Sequence, residues 1–146
     1  FLPSNGHSVN QAVEDNIRVD QVFIGSCTNG RLSDFKVASE ILKDKKVARH
    51  VRLILTPGTQ KILRDAQKAG YIDILVDAGA VVSNPTCGAC LGGYMGILGD
   101  GEVCIATTNR NFVGRMGSRS SKIYLANSAV AAASAISGYI TDPRGL

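Results

Sequence analysis

The chain has no tryptophan, and aromatic residues of all kinds make up only 5% of its 146 residues. It has no apolar run near the ~20 residues that a membrane-spanning helix needs. The longest such stretch, Ala129 to Ile136, is short and alanine-rich. Charge is scarce as well: Asp, Glu, Lys and Arg make up 19% of the chain, and the net charge is +4. A nucleic-acid binder would cluster its basic residues with stacking aromatics, and that interleaving is missing. No secretory leader is visible. The first residue is Phe rather than Met, and residues 1–18 read as a lead-in to a segment of something longer. These absences exclude a membrane or nucleic-acid role and leave a protein of a reducing, cytoplasmic compartment as the expectation.

What is present suits one α/β domain. Hydrophobic residues make up 45% of the sequence, and glycine occurs 16 times. Short apolar runs at 19–25, 51–58, 73–82, 102–108 and 123–127 read as strands. Between them, 32–44 carries Phe35, Ala38, Ile41 and Leu42 at helical spacing, with Ser33 as N-cap candidate and Asp34 in the first turn. The segment 59–70 places Ile62, Leu63, Ala66 and Ala69 on one face, with Gly70 as its stop. The segment 128–138 is a closing helix, and one helical turn is expected at Val9 to Asp15. Alternation of strand and helix predicts a three-layer α/β/α fold around a largely parallel sheet. The domain proper is then 19–146.

In such a fold, function collects at the carboxyl ends of the strands. Three segments fall there: "GSCTNGR", "NPTCGACLGG" and "TTNRNFVGRMGS". The first carries Cys27 and the second carries Cys87 and Cys90. The third opens a run from Arg110 to Lys122 with four basic residues and no acid. The fourth cysteine, Cys104, lies mid-strand and reads as a small buried thiol. Thiolates are soft ligands for zinc or iron–sulfur clusters, and glycine-rich loops let backbone N–H groups approach cluster sulfurs. Spacing alone leaves three readings open: a metal or cluster site, a redox pair, and structural cysteines. His7 and His50 have no ligand spacing.

"IGSCTNGR" (24–31), "CGACLGG" (87–93) and "NRNFVGRMG" (109–117), in that order, resemble the aconitase family. Within it they are most similar to the branch with separate large and small subunits that act on alkylmalate- and homocitrate-type acids. The resemblance runs from about Val19 to Arg144. It implies a [4Fe–4S] cluster held by Cys27, Cys87 and Cys90, and a hydro-lyase reaction that removes water from a hydroxy-acid and returns it at the neighbouring carbon. It implies that Arg110 and Arg115 bind the carboxylates of a small-molecule substrate and that Asn109 lies beside the cluster. It further implies that this chain is the last domain of a large subunit. The catalytic acidic, His and Ser residues would then lie elsewhere, so that no catalytic residue falls in this chain. The expected partner is a small, swivelling-domain subunit.

Overall fold

The computed structural model describes residues 3–146; Phe1 and Leu2, in the lead-in, lie outside the described residues. Five strands, β1 (Gln21–Gly25), β2 (Arg52–Thr56), β3 (Val81–Val82), β4 (Val103–Ala106) and β5 (Lys122–Leu125), form one sheet in the order β3-β2-β1-β4-β5. Every ladder is parallel. The helices are α1 (Val9–Glu14), α2 (Leu32–Leu42), α3 (Gln60–Lys68), α4 (Tyr71–Ala78) and α5 (Ser128–Ser137). The α/β class and the parallel sheet are those the sequence predicts.

Side chains alternate along each strand between two separate cores. Val22 and Ile24 of β1, Leu53 and Leu55 of β2, and Ile105 of β4 point to one face and pack under α2, α3, α4 and α5. Phe23, Ile54, Cys104 and Ala106 point to the other. There they meet Ala89, Leu98 and Met116, which come from the long connections after β3 and β4. Those connections, with a single short 3-10 helix at Gly88–Leu91, make the layer on that face.

Three local readings need correction. The run 73–82 is mostly helix: α4 takes up Tyr71–Ala78 and the strand is only Val81–Val82. A short apolar run does not distinguish buried strand from helix. Here Ile72, Leu75 and Ala78, at intervals of three, bury one helical face, and Gly79 closes the helix at φ 109°. The N-cap of α2 is Arg31 rather than Ser33. Its N–H donates to Asp34 Oδ2 at 2.8 Å, and Asp34 Oδ1 accepts from Ser128 Oγ at 2.9 Å, which ties α2 to α5. Ala69 is exposed, because α3 ends at Lys68 and Ala69 is its cap. Within α2, Ser39 is buried with Phe35, Ala38 and Leu42, while Ile41 is half-buried.

Candidate functional site

The chain leaves β1 through an unusual turn. Gly25 has φ 106° and Ser26, fully buried, has φ 154°. A Cβ on Gly25 would lie 2.0 Å from the Thr56 carbonyl oxygen, and one on Gly30 would lie 2.4 Å from the same atom. Only glycine lets the 25–30 loop lie this close to the end of β2. The turn brings Cys27 to the surface at the carboxyl edge of the sheet, where it is exposed.

The second cysteine loop reaches the same edge from β3. Gly88 sits against the ring of Phe23; a Cβ there would come within 2.8 Å of Cζ. This contact seats the 3-10 helix on the loop-covered face and sets Cys87 at its N-terminus. Cys87 Sγ lies 3.6 Å from Cys27 Sγ, although 60 residues separate them in sequence. The Cys27 sulfur, as hydrogen-bond partner and then by its charge, raises the Cys87 thiol above its ordinary range; Cys90 adds to this and Arg115 opposes it. Cys90 follows in the same short helix and its N–H donates to the Cys87 carbonyl at 3.2 Å. All four cysteines are free. Cys104 is fully buried in β4 as the sequence predicts, and burial pushes its thiol up to about 12.

A mononuclear ion needs ligands converging on one point. Among the described residues, no group of three or more His, Cys, Asp or Glu side chains does so. A cubane cluster instead takes each thiolate at a separate corner. Two sulfurs nearly in contact, with a third one helical turn away in a glycine-rich loop, fit that donor set in chemistry.

The third loop follows β4. Thr107 accepts from Gly25 N through Oγ1 at 2.8 Å, and its N–H donates to the Phe23 carbonyl at 3.0 Å. Asn109 then lies against the Cys27 loop: its Nδ2 donates to Thr28 Oγ1 at 2.9 Å. Arg110 is exposed. The Arg115 guanidinium lies over the Phe112 ring, 5.2 Å from its centroid, yet its Nε is buried without a hydrogen-bond partner. Among the described residues, neither arginine forms an ion pair. A buried N–H left unpartnered is costly unless a ligand accepts from it.

Spacing carries no signal for a second set of residues that hold this site. Gln21, fully buried at the start of β1, donates from Nε2 to the Gly96 carbonyl at 2.7 Å and accepts from Arg52 Nε at 3.1 Å. Arg52 makes two 2.8 Å hydrogen bonds to Glu102, whose Oε2 also accepts from Gly99 N at 2.7 Å. The cysteine loop is thus moored at the opposite edge of the sheet from its cysteines. A polar residue in an otherwise apolar strand, Gln21 in "VDQVFIG", is the one sequence hint.

A cavity of ≈ 540 Å³ with no cysteine in its lining lies between the segment 5–17 and the β5–α5 junction. Among the described residues, no helix is long and apolar enough to cross a membrane.

Residues 4–138 match the model of the aconitase family (aconitate hydratase). The 3-isopropylmalate dehydratase large subunit of Aliarcobacter butzleri is 89% identical over 100% of this chain, and the match covers 34% of that protein. Its counterpart in Sulfurimonas denitrificans is 82% identical over 99% of the chain and 34% of its own length. That of Campylobacter fetus is 73% identical over 100% of the chain and 35% of its own. A solved structure, the holo-form of aconitase X from Thermococcus kodakaraensis, is 19% identical with a TM-score of 0.46 over 67% of this chain and 25% of its own, too loose a likeness to argue from. The chain spans about a third of the length of the curated relatives it matches, and it belongs to the aconitase family.

Proposed function

We propose that the chain is the cluster-binding part of a 3-isopropylmalate dehydratase large subunit, with Cys27, Cys87 and Cys90 as ligands of a [4Fe–4S] cluster. The observation that carries this reading is the 3.6 Å approach of Cys27 Sγ to Cys87 Sγ at the carboxyl edge of a parallel sheet, beside two arginines with no acid to pair with. The identity to relatives named as that large subunit supports it. Bound there, a cluster with one iron free of thiolate supplies a Lewis acid for removing and returning water on a hydroxy-acid.

The chain's own residues bind and orient. Arg115 is held over Phe112 with its Nε directed inward and unsatisfied, which suits a carboxylate acceptor. A planar guanidinium offers a carboxylate two parallel donors. Arg110, exposed at the mouth of the same loop, reaches a second carboxylate. Asn109 lies beside the cysteines through its bond to Thr28. The remaining acid–base groups come from the rest of the large subunit and from a small subunit, a partner suggested by the relatives' name. The compartment is cytoplasmic, where free thiols persist.

The test is anaerobic reconstitution followed by turnover of the assembled large and small subunits. Cys27→Ala, Cys87→Ala and Cys90→Ala should each abolish the broad iron–sulfur absorbance, whereas Cys104→Ala should keep it. Arg110→Ala and Arg115→Ala should lower kcat/KM by about one to two decades, the value of a charge-assisted hydrogen bond. Full activity in both arginine variants, or retained absorbance in any of the three cysteine variants, would sink the reading.

A further inference from the structure

The loops that carry Cys27 and Arg110 are closed into one unit by a ring of side-chain hydrogen bonds, and Asn29 is its hub. Asn29 Nδ2 has two N–H groups and uses both: one donates to the Thr107 carbonyl oxygen and the other to Asn109 Oδ1 at 2.9 Å. Asn109 Nδ2 passes the ring on to Thr28 Oγ1 at 2.9 Å. Thr28 Oγ1 meets Ser26 Oγ at 3.3 Å, and Ser26 Oγ accepts from Asn29 N at 3.3 Å. Thr107 is buried at the end of β4, and its carbonyl oxygen can only accept, so the Asn29 amide must turn its N–H side toward it. The direction of every other amide bond in the ring follows.

We propose that Asn29 is a positioning residue. It holds the turn that carries Cys27 against the exit of β4, so that Cys27 Sγ faces Cys87 and the Asn109–Arg110 segment starts from a fixed point. This deepens the reading of Cys27 as a cluster ligand and rests on it. Backbone bonds fix the two ends of the turn, Ser26 N to the Thr56 carbonyl at 3.1 Å and Gly58 N to the Gly30 carbonyl at 3.0 Å, and the Asn29 ring ties the residues between them. Ser26, at φ 154°, sits in a conformation that an L-residue holds only when its surroundings impose it. Cys27 itself is exposed. Aspartate has the same shape but no N–H, so it loses both bonds and sets a carboxylate against the Thr107 carbonyl.

The experiment is a partition of disulfides in the cluster-free chain. Under limiting diamide, two thiols give up two protons and two electrons to the reagent, which becomes its hydrazine, and a disulfide forms. In the parent, peptide mapping should find Cys27–Cys87 favoured over Cys87–Cys90. In Asn29→Ala and Asn29→Asp the ratio should move toward Cys87–Cys90 by about threefold or more, the effect of losing a neutral hydrogen bond. Asn109→Ala should move it the same way, and Asn29→Ala with Asn109→Ala should add little, because one ring is broken once. Alkylation of the buried Cys104 reports whether the sheet stays folded. After reconstitution, Asn29→Asp should alter the electron paramagnetic resonance spectrum of the reduced cluster. An unchanged disulfide ratio with Cys104 still protected overturns the proposal. Exposure of Cys104 in both Asn29 variants overturns it too, by making Asn29 a folding residue. If the parent takes up no cluster, the functional reading fails while the disulfide partition still decides the role of Asn29.

Discussion

The same strands supply both faces of the sheet, yet the faces are finished differently. On one, four helices satisfy their own backbone and contribute apolar side chains such as Phe35, Leu42, Leu75 and Ala131. On the other, the 83–102 and 107–121 connections have little secondary structure and contribute only Ala89, Leu98 and Met116 to the core. Their backbone groups are met by side chains: Gln21 at Gly96, Glu102 at Gly99 and Asn29 at Thr107. A regular layer is stabilised by area and by repeating bonds, whereas an irregular one depends on individual polar ties. The irregular face is where the cysteines lie, and its geometry is correspondingly easier to disturb one residue at a time.

The largest expected effects come from removing one core side chain on each face. Leu53→Ala should cost ~2–5 kcal/mol and Phe23→Ala ~3–5 kcal/mol, both read by urea unfolding. Both side chains are at least 99% buried, so the totals should be similar while the pattern differs. Hydrogen exchange in Leu53→Ala should speed up across the sheet and α2 together. In Phe23→Ala it should speed up first at 84–98, because the Gly88 turn loses the ring it rests on. Identical exchange patterns would erase the distinction between the two faces.

The next effect tests how tightly the Cys27 turn is fitted. Gly70 and Gly25 both have positive φ, 76° and 106°. Around Gly70 nothing lies within 4 Å of an added Cβ, whereas at Gly25 the Thr56 oxygen is 2.0 Å away. Gly70→Ala should therefore cost the backbone term alone, ~1–3 kcal/mol, and Gly25→Ala clearly more. Paired thermal melts read the difference. Equal melting points would mean that the 25–30 loop moves freely away from β2.

Much of this architecture is legible in the sequence. Period and turn residues reveal β1, β2, β4, β5 and four of the helices, because each buries a stripe that repeats locally. The strand-end rule and loop composition bring Cys27, Cys87 and Cys90 forward as candidate ligands and set the buried Cys104 apart. What stays hidden has two causes. The run 73–82 is ambiguous because eight or ten apolar residues fit either a helix or a strand until Gly79 is seen in its left-handed cap. The ties that Gln21, Arg52 and Asn29 make, to Gly96, Glu102, Asn109 and one another, link positions 31 to 80 residues apart. No local pattern encodes such pairs; they arise only from the parallel register, which sets Gln21 beside Arg52 and Cys104.

The smallest effect concerns the mooring of the cysteine loop at Glu102. The Arg52–Glu102 pair is bidentate, but the two side chains are 47% and 27% exposed, so solvent screens it. Glu102→Gln should cost only about 1 kcal/mol at neutral pH. Its signature is in the pH dependence. Hydrogen bonds from Arg52, and then from Gly99 N, hold the Glu102 carboxyl below the usual carboxylate range. A group lowered in the folded state contributes in full above its unfolded pKa, ~4.3 for Glu, and loses that contribution as pH falls through the folded value. Parent and Glu102→Gln should therefore differ above about pH 5 and converge below ~4.3 in urea titrations. Asp142 supplies the contrast: Arg144 lowers its carboxyl to about 2, but Arg144 is 77% exposed and the pair spans only two residues. Asp142→Asn should leave the melting point unchanged at physiological salt. In Glu102→Gln, exchange should quicken at 96–102 and stay unchanged in α2 to α5, because the weakened bonds run to Gly99 N and to Arg52, whose Nε donates to Gln21, and not to the helices. Curves that remain parallel through the acid range, or exchange that quickens in the helices instead, would show that Glu102 does not moor the loop.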